Sequence, residues 1–442
     1  MKKHRIFMGF IEIAGYYNNL RKGFKEMGID CHFFETFPNP FCYDKEERLS
    51  IIENIARKIA VFRKKRYENK EFKDGILYFP EKFLHHLILS MYVVYLIFKY
   101  DVFILSGGYI PQRKIFFPLL KILKKKIICV FHGSASRPPY LNGCNVPNDI
   151  EFSVSYVADK TTQIKRFIDE INKYADVIID ARVTSLFHSR DVIDWFYVGC
   201  PAPVDEFKIS DNSDTVENNE NVRILHCPSR PIDKGTAEIE EAINNLISKG
   251  YSIDFIKIVG QPNSVVMEEL SKCDFALNEL YSDCPSGSFL AEAASCNKLS
   301  ITGSYYSTLV EKEIPEEWVI PNLFVLPSEI ESAIERMITD KQLRIKTGRE
   351  AREFVIQNWS PTAVAKKMLK VIDGDIPSNA IFSPYNLLYT GGYGMKSSWR
   401  RQVVRKLVDE FGASVLKLDD KPKLRDALLA EAYGEDATSG TS

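Results

Sequence analysis

A segment equipped to hold a phosphate ester and a diol lies at LNELYSDCPSGSFLAEAASCNKLSITGS, residues 277–304. CDFAL (273–277) reads as a strand, the following loop carries Asp283 and Pro285-Ser286-Gly287, and a helix opens near Ser288. The amino end of a helix presents unpaired N–H groups and the positive end of its dipole. Gly287, Ser288 and Phe289 are therefore candidates to hold a diphosphate. Glu292 stands one turn into that helix, where a carboxylate facing back toward the loop can accept hydrogen bonds from a ribose diol. An ordinary crossover with a surface glutamate has the same pattern, because glycine-rich turns into helices are common.

A second candidate is HCPSRPIDKGTAEIEEAINNL, residues 226–246. Lys234 precedes a helix, where the dipole disfavours a cation unless an anion lies alongside. Lys234, with Arg230 as a weaker helper, could stabilise charge developing on a leaving diphosphate. In FHGSASRPPY (131–140), His132 follows an apolar strand, and Arg137 offers a guanidinium suited to a phosphate or acidic sugar. A histidine hydrogen-bonded only to its neighbours fits the same pattern. Gly15 in EIAGYY and the loop SGGY (106–109) also fall where strand-like runs end. The only Asp-Asp pair, Asp419-Asp420, sits near the end of the chain, and the seven histidines lack metal-ligand spacing. We therefore expect neither a metal nor a cofactor. The nine cysteines are scattered without a C-x-x-C pair, which suits free thiols in a reducing compartment.

These residues need elements to hold them. In the first half RIFMGF (5–10), IDCHFF (29–34), GILYF (75–79), DVFIL (101–105), KIICVF (126–131), ADVII (175–179) and a short run near Trp195–Val198 read as strands. They are nearly continuous apolar runs separated by helix-length segments, the pattern of a parallel sheet covered on both faces. Residues 40–74 interrupt the pattern with a charged insertion. A second alternating unit runs through VRILHC (222–227), FIKIVG (255–260), CDFAL and KLSIT (298–302). The polar, acidic segment 206–221 between the units reads as a linker. The fold class expected is α/β, with two Rossmann-like domains facing across a cleft, at 1–205 and 222–375, and a C-terminal helical tail at 376–442.

On these motifs the chain resembles the retaining GT-B glycosyltransferases of the group 1/family 4 class. Their signature is a Glu, seven residues, then Glu-Ala-x-Ala-x-Gly-Lys-Pro-Val-Ile. Glu292-Ala293-Ala294-Ser295-Cys296-Asn297-Lys298-Leu299-Ser300-Ile301 matches its second half, whereas Cys284 takes the place of the first Glu, beside Asp283. The segment from 131 is similar to a His-Gly-Ser-Asp-x-Arg motif of a subgroup, with Ala135 in place of Asp. The resemblance implies transfer of a sugar from a nucleotide-sugar co-substrate, with retention and without metal, to a polysaccharide or lipid-linked acceptor. His132 would face the transferred sugar, Lys234 and Arg230 the diphosphate, and Gly15 would line the donor loop. Asp283 would serve the sugar by a one-residue shift, or the amides of Gly287 to Phe289 would do most of the holding; Arg137 would meet the acceptor. A nucleotide-sugar epimerase or phosphosugar polymerase of the same fold, or a non-catalytic nucleotide- or glycan-binding paralogue, are the alternatives.

Residues 1–205 hold 31 Lys and Arg against 23 Asp and Glu, and the remainder 27 against 36. The start MKKHRIFMGFIEI is too short in apolar residues for a signal-peptide core, so a cytoplasmic location is expected. Leu87 to Phe98 is too short to span a bilayer and reads as a buried helix. Basic stretches at 57–70 and 113–126, and a tail face of Trp399, Val403, Val404, Leu407, Val408 and Phe411 beside arginines, suggest contact with the inner leaflet. Packing of these faces on the protein itself is the other reading. No nucleic-acid reader motif is present, so nucleic acid is not expected as a partner.

Overall fold

The computed structural model describes residues 4–37, 49–68, 78–202, 204, 221–283 and 287–434. The expected linker (apart from Asn221), much of the 40–74 insertion, and Cys284, Pro285 and Ser286 lie outside them.

Two sheets form the frame. The first contains β1 (Arg5–Phe10), β2 (Asp30–Glu35), β3 (Val102–Ser106), β4 (Lys126–Val130), β5 (Val177–Asp180), β6 (Val192–Asp194) and β12 (Ile381–Phe382). Its order is β12-β6-β5-β4-β3-β1-β2, with all neighbours parallel except β12 against β6. The second contains β7 (Val222–His226), β8 (Ile253–Lys257), β9 (Phe275–Leu277), β10 (Ser300–Gly303) and β11 (Leu323–Val325), in the order β11-β10-β9-β7-β8 and parallel throughout. In each sheet the chain starts in the interior, lays its second strand on one side and later strands on the other. The order therefore reverses between β1 and β3, and between β7 and β9. Such a reversal leaves a crevice at the carboxyl ends of the flanking strands, where open α/β sheets bind ligands.

Helices cover both faces. On one face of the first sheet lie α2 (Ile51–Glu68), α3 (Tyr78–Lys99), α4 (Arg113–Ile122), α5 (Val154–Tyr174), α14 (Ser397–Phe411) and α15 (Pro422–Tyr433). On the other lie α1 (Tyr16–Glu26), the short α6 (Trp195–Val198) and α13 (Pro361–Asp373). The second sheet is covered by α7 (Thr236–Ser248) and α11 (Ile330–Thr339) on one face, and by α8 (Asn263–Lys272) and α9 (Ser288–Ser295) on the other. Helices α10 (Ser307–Glu313) and α12 (Lys341–Phe354) complete that half. Ser360 caps α13 by accepting from Ala363 N–H, with Pro361 at the first helical position, where its missing N–H costs nothing.

Four expectations need correction. Tyr78 and Phe79 of the expected GILYF strand open α3 instead; Pro80, which lacks an N–H, suits a first helical turn better than a sheet interior. The strand near Trp195 ends earlier, at Asp194, whose carboxylate accepts from Phe196 N–H at 3.1 Å and turns the chain into α6. Helix α3 is only half covered: Leu89, Tyr92, Val93, Leu96 and Ile97 are buried, while Phe83, Leu87, Met91, Val94 and Phe98 face outward. The apolar face of the tail is not a membrane face. Trp399, Val403, Val404 and Leu407 are buried in the same core as Phe103 of β3 and Phe117 of α4.

Candidate functional site

The crevice is built from strand ends. After β1 the chain turns at Gly15, which takes a φ of +79° immediately before α1. The α1 amino end is occupied from within: the Glu12 carboxylate accepts from Ile13, Tyr17 and Asn18 N–H at 2.8, 3.1 and 3.0 Å. His132 follows β4. Its ring lies edge-on to Tyr16 at 4.6 Å between centroids, and Nε2 is 3.2 Å from the Tyr17 hydroxyl. Burial pushes His132 down to about 3, so the imidazole stays neutral at physiological pH and polarises or orients without adding charge.

On the facing sheet, Lys234 and Asp283 project from the loops after β7 and β9, the two strands that flank the order reversal. Buried His226 joins these elements, with Nδ1 3.0 Å from Leu277 O and Nε2 3.0 Å from the Thr236 hydroxyl. Lys234 is ion-paired with Glu279, which supplies the anion that its place before a helix requires. Burial works against the ammonium, but Glu279 and Tyr393 outweigh it and hold Lys234 above its ordinary value. Burial likewise opposes the Glu279 carboxylate, and Lys234 more than compensates, so Glu279 is held below its ordinary value. Arg230 turns outward to Asp233 at 2.7 Å and is more than half exposed, so it does not join Lys234.

Gly287, at a φ of +132°, leads into α9, whose first residues are Ser288 and Phe289. Glu292 is buried in the next turn and accepts from Asn263 Nδ2 at 2.7 Å. Burial pushes its carboxyl up to about 7, with Asn263 relieving part of the penalty. Cys200, from the end of the first half, lies within hydrogen-bonding reach of Ser288 and close to Glu292, so α9 begins at the seam between the sheets.

The halves meet through charge. Arg137 of the first is ion-paired with Asp283 of the second, both nearly fully buried. Burial raises the Asp283 carboxyl to about 6 against the pull of Arg137. The residues expected to meet acceptor and donor sugar are thus each other's partner. Cys144 Sγ, also from the first half, lies 3.2 Å from Asp233 Oδ2. Gly15, His132 and Arg137 therefore gather on one wall, and Lys234, Asp283, Gly287–Phe289 and Glu292 on the other. The sequence reading did not single out Glu12, Glu279, Asn263 or Tyr393. Glu279 stands at a strand end four residues before Asp283, which is a usable signal. Nothing in the spacing points to Tyr393.

No protein-family description matches the chain, and no curated protein matches its sequence. Solved structures do match in shape. An alpha-glucosyltransferase in complex with UDP and a 13-mer DNA is 14% identical, with a TM-score of 0.50, covering 83% of this chain and 98% of that one. A trehalose-6-phosphate synthase, from work on glycosyl transfer with retention, is 9% identical, with a TM-score of 0.51, covering 85% and 100%. HepE of Anabaena, in complex with UDP and glucose, is 12% identical, with a TM-score of 0.47, covering 84% and 100%. Taken with the two parallel sheets, the first two of these likenesses identify the fold of this chain as GT-B.

Proposed function

We propose that the protein is a glycosyltransferase that moves a hexosyl-type group from a nucleoside-diphosphate sugar to a glycan or lipid-linked saccharide. The observation that carries this reading is the arrangement at the order reversal of the second sheet. A largely shielded lysine and the start of α9 follow the adjacent strands β7 and β9, with a buried carboxylate one turn beyond. Lys234 and the amides of Gly287 to Phe289 suit a diphosphate, and Glu292 suits the ribose hydroxyls. As the glycosidic bond breaks, negative charge grows on the leaving diphosphate. A largely shielded ammonium and oriented N–H groups stabilise that charge more in the transition state than in the ground state. We further propose that these groups serve without a metal ion. His132 would contact the transferred sugar from the opposite wall, and the acceptor would attack from the leaving-group side, retaining configuration.

For the acceptor side we propose a lipid-linked saccharide reached at an anionic, inner-leaflet membrane surface. Among the described residues, α3 is the one helix long and apolar enough to cross a bilayer, yet it packs along the sheet. Its outward stripe of Phe83, Leu87, Met91, Val94 and Phe98 is bounded by the exposed cations Lys82 and Lys99, which matches an apolar interior beneath anionic headgroups.

The donor reading is tested by a thermal-shift screen with UDP-, GDP-, CMP- and dTDP-sugars, repeated on Lys234→Ala and Glu292→Ala. One nucleotide should stabilise the native protein, and its affinity should fall at least ~10-fold in each variant, the loss of one charge-assisted contact. Equal binding by all three proteins overturns the assignment. Consumption of donor with no acceptor present, giving an isomerised nucleotide sugar, would point to the epimerase instead.

A further inference from the structure

After β12 the chain does not leave the molecule. Residues 389–396 return to the crevice, and their backbone is tied to both walls. Tyr393 N–H donates to Leu141 O at 2.9 Å, and Gly143 N–H donates to Tyr393 O at 2.8 Å, both on the first-sheet side. One residue later, Gly394 N–H donates to Tyr281 O at 2.8 Å, on the second-sheet side. Gly394 has a φ of +63°, and a side chain there would meet the Asp233 backbone at 3.1 Å. Farther along, Lys396 N–H donates to Asn148 Oδ1 at 2.9 Å and Ser397 N–H to the Tyr305 hydroxyl at 3.0 Å, again one bond to each half.

This strap carries the Tyr393 side chain into the charged centre of the site. The Arg137 guanidinium lies 4.4 Å from the ring centroid, and the Lys234 ammonium lies 5.4 Å from it. The phenol O–H donates to Glu279 Oε2 at 3.3 Å, the same carboxylate oxygen that pairs with Lys234. One aromatic ring therefore contacts two cations from opposite walls, and its hydroxyl contacts the anion between them.

We infer that Tyr393 is a positioning residue of the donor site, supplied by the C-terminal segment, which holds Arg137 and Lys234 for a nucleoside diphosphate and keeps Glu279 partnered when the diphosphate takes its lysine. The inference rests on the donor-site reading above. Two neighbouring cations repel each other, and the negative face of a tyrosine ring attracts both without neutralising either. The cations are paired with Glu279 and Asp283. A diphosphate must displace at least one carboxylate to be held. Glu279 is buried and would be costly to leave without a donor. The Tyr393 hydroxyl remains in place to serve it, beside the Ser282 hydroxyl that also bonds to it. The ring thus acts in both states, and the hydroxyl chiefly in the occupied one.

The test uses the full chain, with UDP, GDP, CDP and dTDP titrated by calorimetry and the corresponding monophosphate of the tightest binder as comparison. Tyr393→Phe keeps the ring and should weaken the diphosphate by roughly 3- to 10-fold, the net worth of one ordinary hydrogen bond, fitting the 3.3 Å length of this one. Tyr393→Ala should weaken it by more than ~30-fold, adding the loss of both cation–ring contacts. The monophosphate, lacking the terminal phosphate, should lose less than twofold in either variant. A fall that is equal for monophosphate and diphosphate indicates a general structural role and overturns the inference. So does diphosphate binding by Tyr393→Ala within twofold of native while Lys234→Ala abolishes it; there the donor site stands and the strap plays no part. Should none of the four bind, or should Lys234→Ala bind as the native protein does, the donor reading itself fails and takes this inference with it. If Tyr393→Ala does not fold, Tyr393→Phe alone decides between these outcomes.

Discussion

At the scale of single residues, the site is defined by charges kept out of water. Glu292 is the clearest case. An unfolded glutamate titrates near 4.5, and burial moves the folded group to about 7, so the folded chain favours the protonated form. For a carboxyl raised in this way, the stabilising contribution is whole below 4.5 and is lost as pH climbs through about 7. Removing the ionisable group should therefore help most at high pH. Glu292→Gln should melt near the native temperature at pH 5 and above it at pH 8, by a margin worth up to about 3 kcal/mol. Melting curves of both proteins across that range check this. A constant offset would mean that the carboxyl does not titrate there. Nucleotide binding should reverse the trend for the native protein, because a ribose diol donates to the ionised form. Lys234 and Glu292 were legible in the sequence because each sits at a fixed offset from a strand end and a helix start. Their pairing was not, although Glu279 carries a signal in its place at a strand end. Glu279 is 45 residues from Lys234 and Tyr393 is 114 residues from Glu279, and only the closed fold brings them together.

At the scale of elements, the parallel strands were legible because a strand covered on both faces must be apolar almost throughout. β11 and β12, three and two residues long, are too short to carry a pattern. Tyr78 and Phe79 show the opposite limit, since a short apolar run does not distinguish strand from helix. Composition does not reveal which side of α3 meets the sheet. The exposed side of that helix makes a prediction at this scale. The native protein should sediment with vesicles containing phosphatidylglycerol and not with pure phosphatidylcholine. Met91→Glu combined with Phe98→Glu should reduce this binding at least ~10-fold, because each places a charge where apolar contact is needed, and the core should be unaffected. A native protein that ignores both kinds of vesicle but forms dimers disrupted by the same changes would assign the stripe to a second copy of the chain.

At the scale of the molecule, the path of the chain matters more than any one element. Helix α13 leaves the second half and seats on α1, where Gly23 allows the contact: a Cβ at that position would lie 1.9 Å from Pro361 O. Gly23→Ala should therefore cost about 2–3 kcal/mol, the upper range for overpacking, since backbone on the far side cannot yield as a side chain would. Chemical denaturation checks this, and a loss under 0.5 kcal/mol, the ordinary surface value, would mean that α13 does not bear on α1. The sequence placed an appendage at 376–442, and its described residues, as far as Gly434, pack on the first sheet. β12 covers the edge of β6, and Trp399, Val403, Val404, Leu407, Leu424 and Leu428 enter the first core. Each such side chain contributes roughly 1.5–3 kcal/mol when fully buried, together comparable with the whole net stability of a typical domain. β12, α14 and α15 are therefore built into the same unit as β1. On a ribosome that emits the chain from its amino terminus, the five-stranded sheet is complete while the seven-stranded one still waits for its last strand and two helices. The half translated first is thus the half that must finish last, and until α14 and α15 have been made its core stands open to chaperones and proteases.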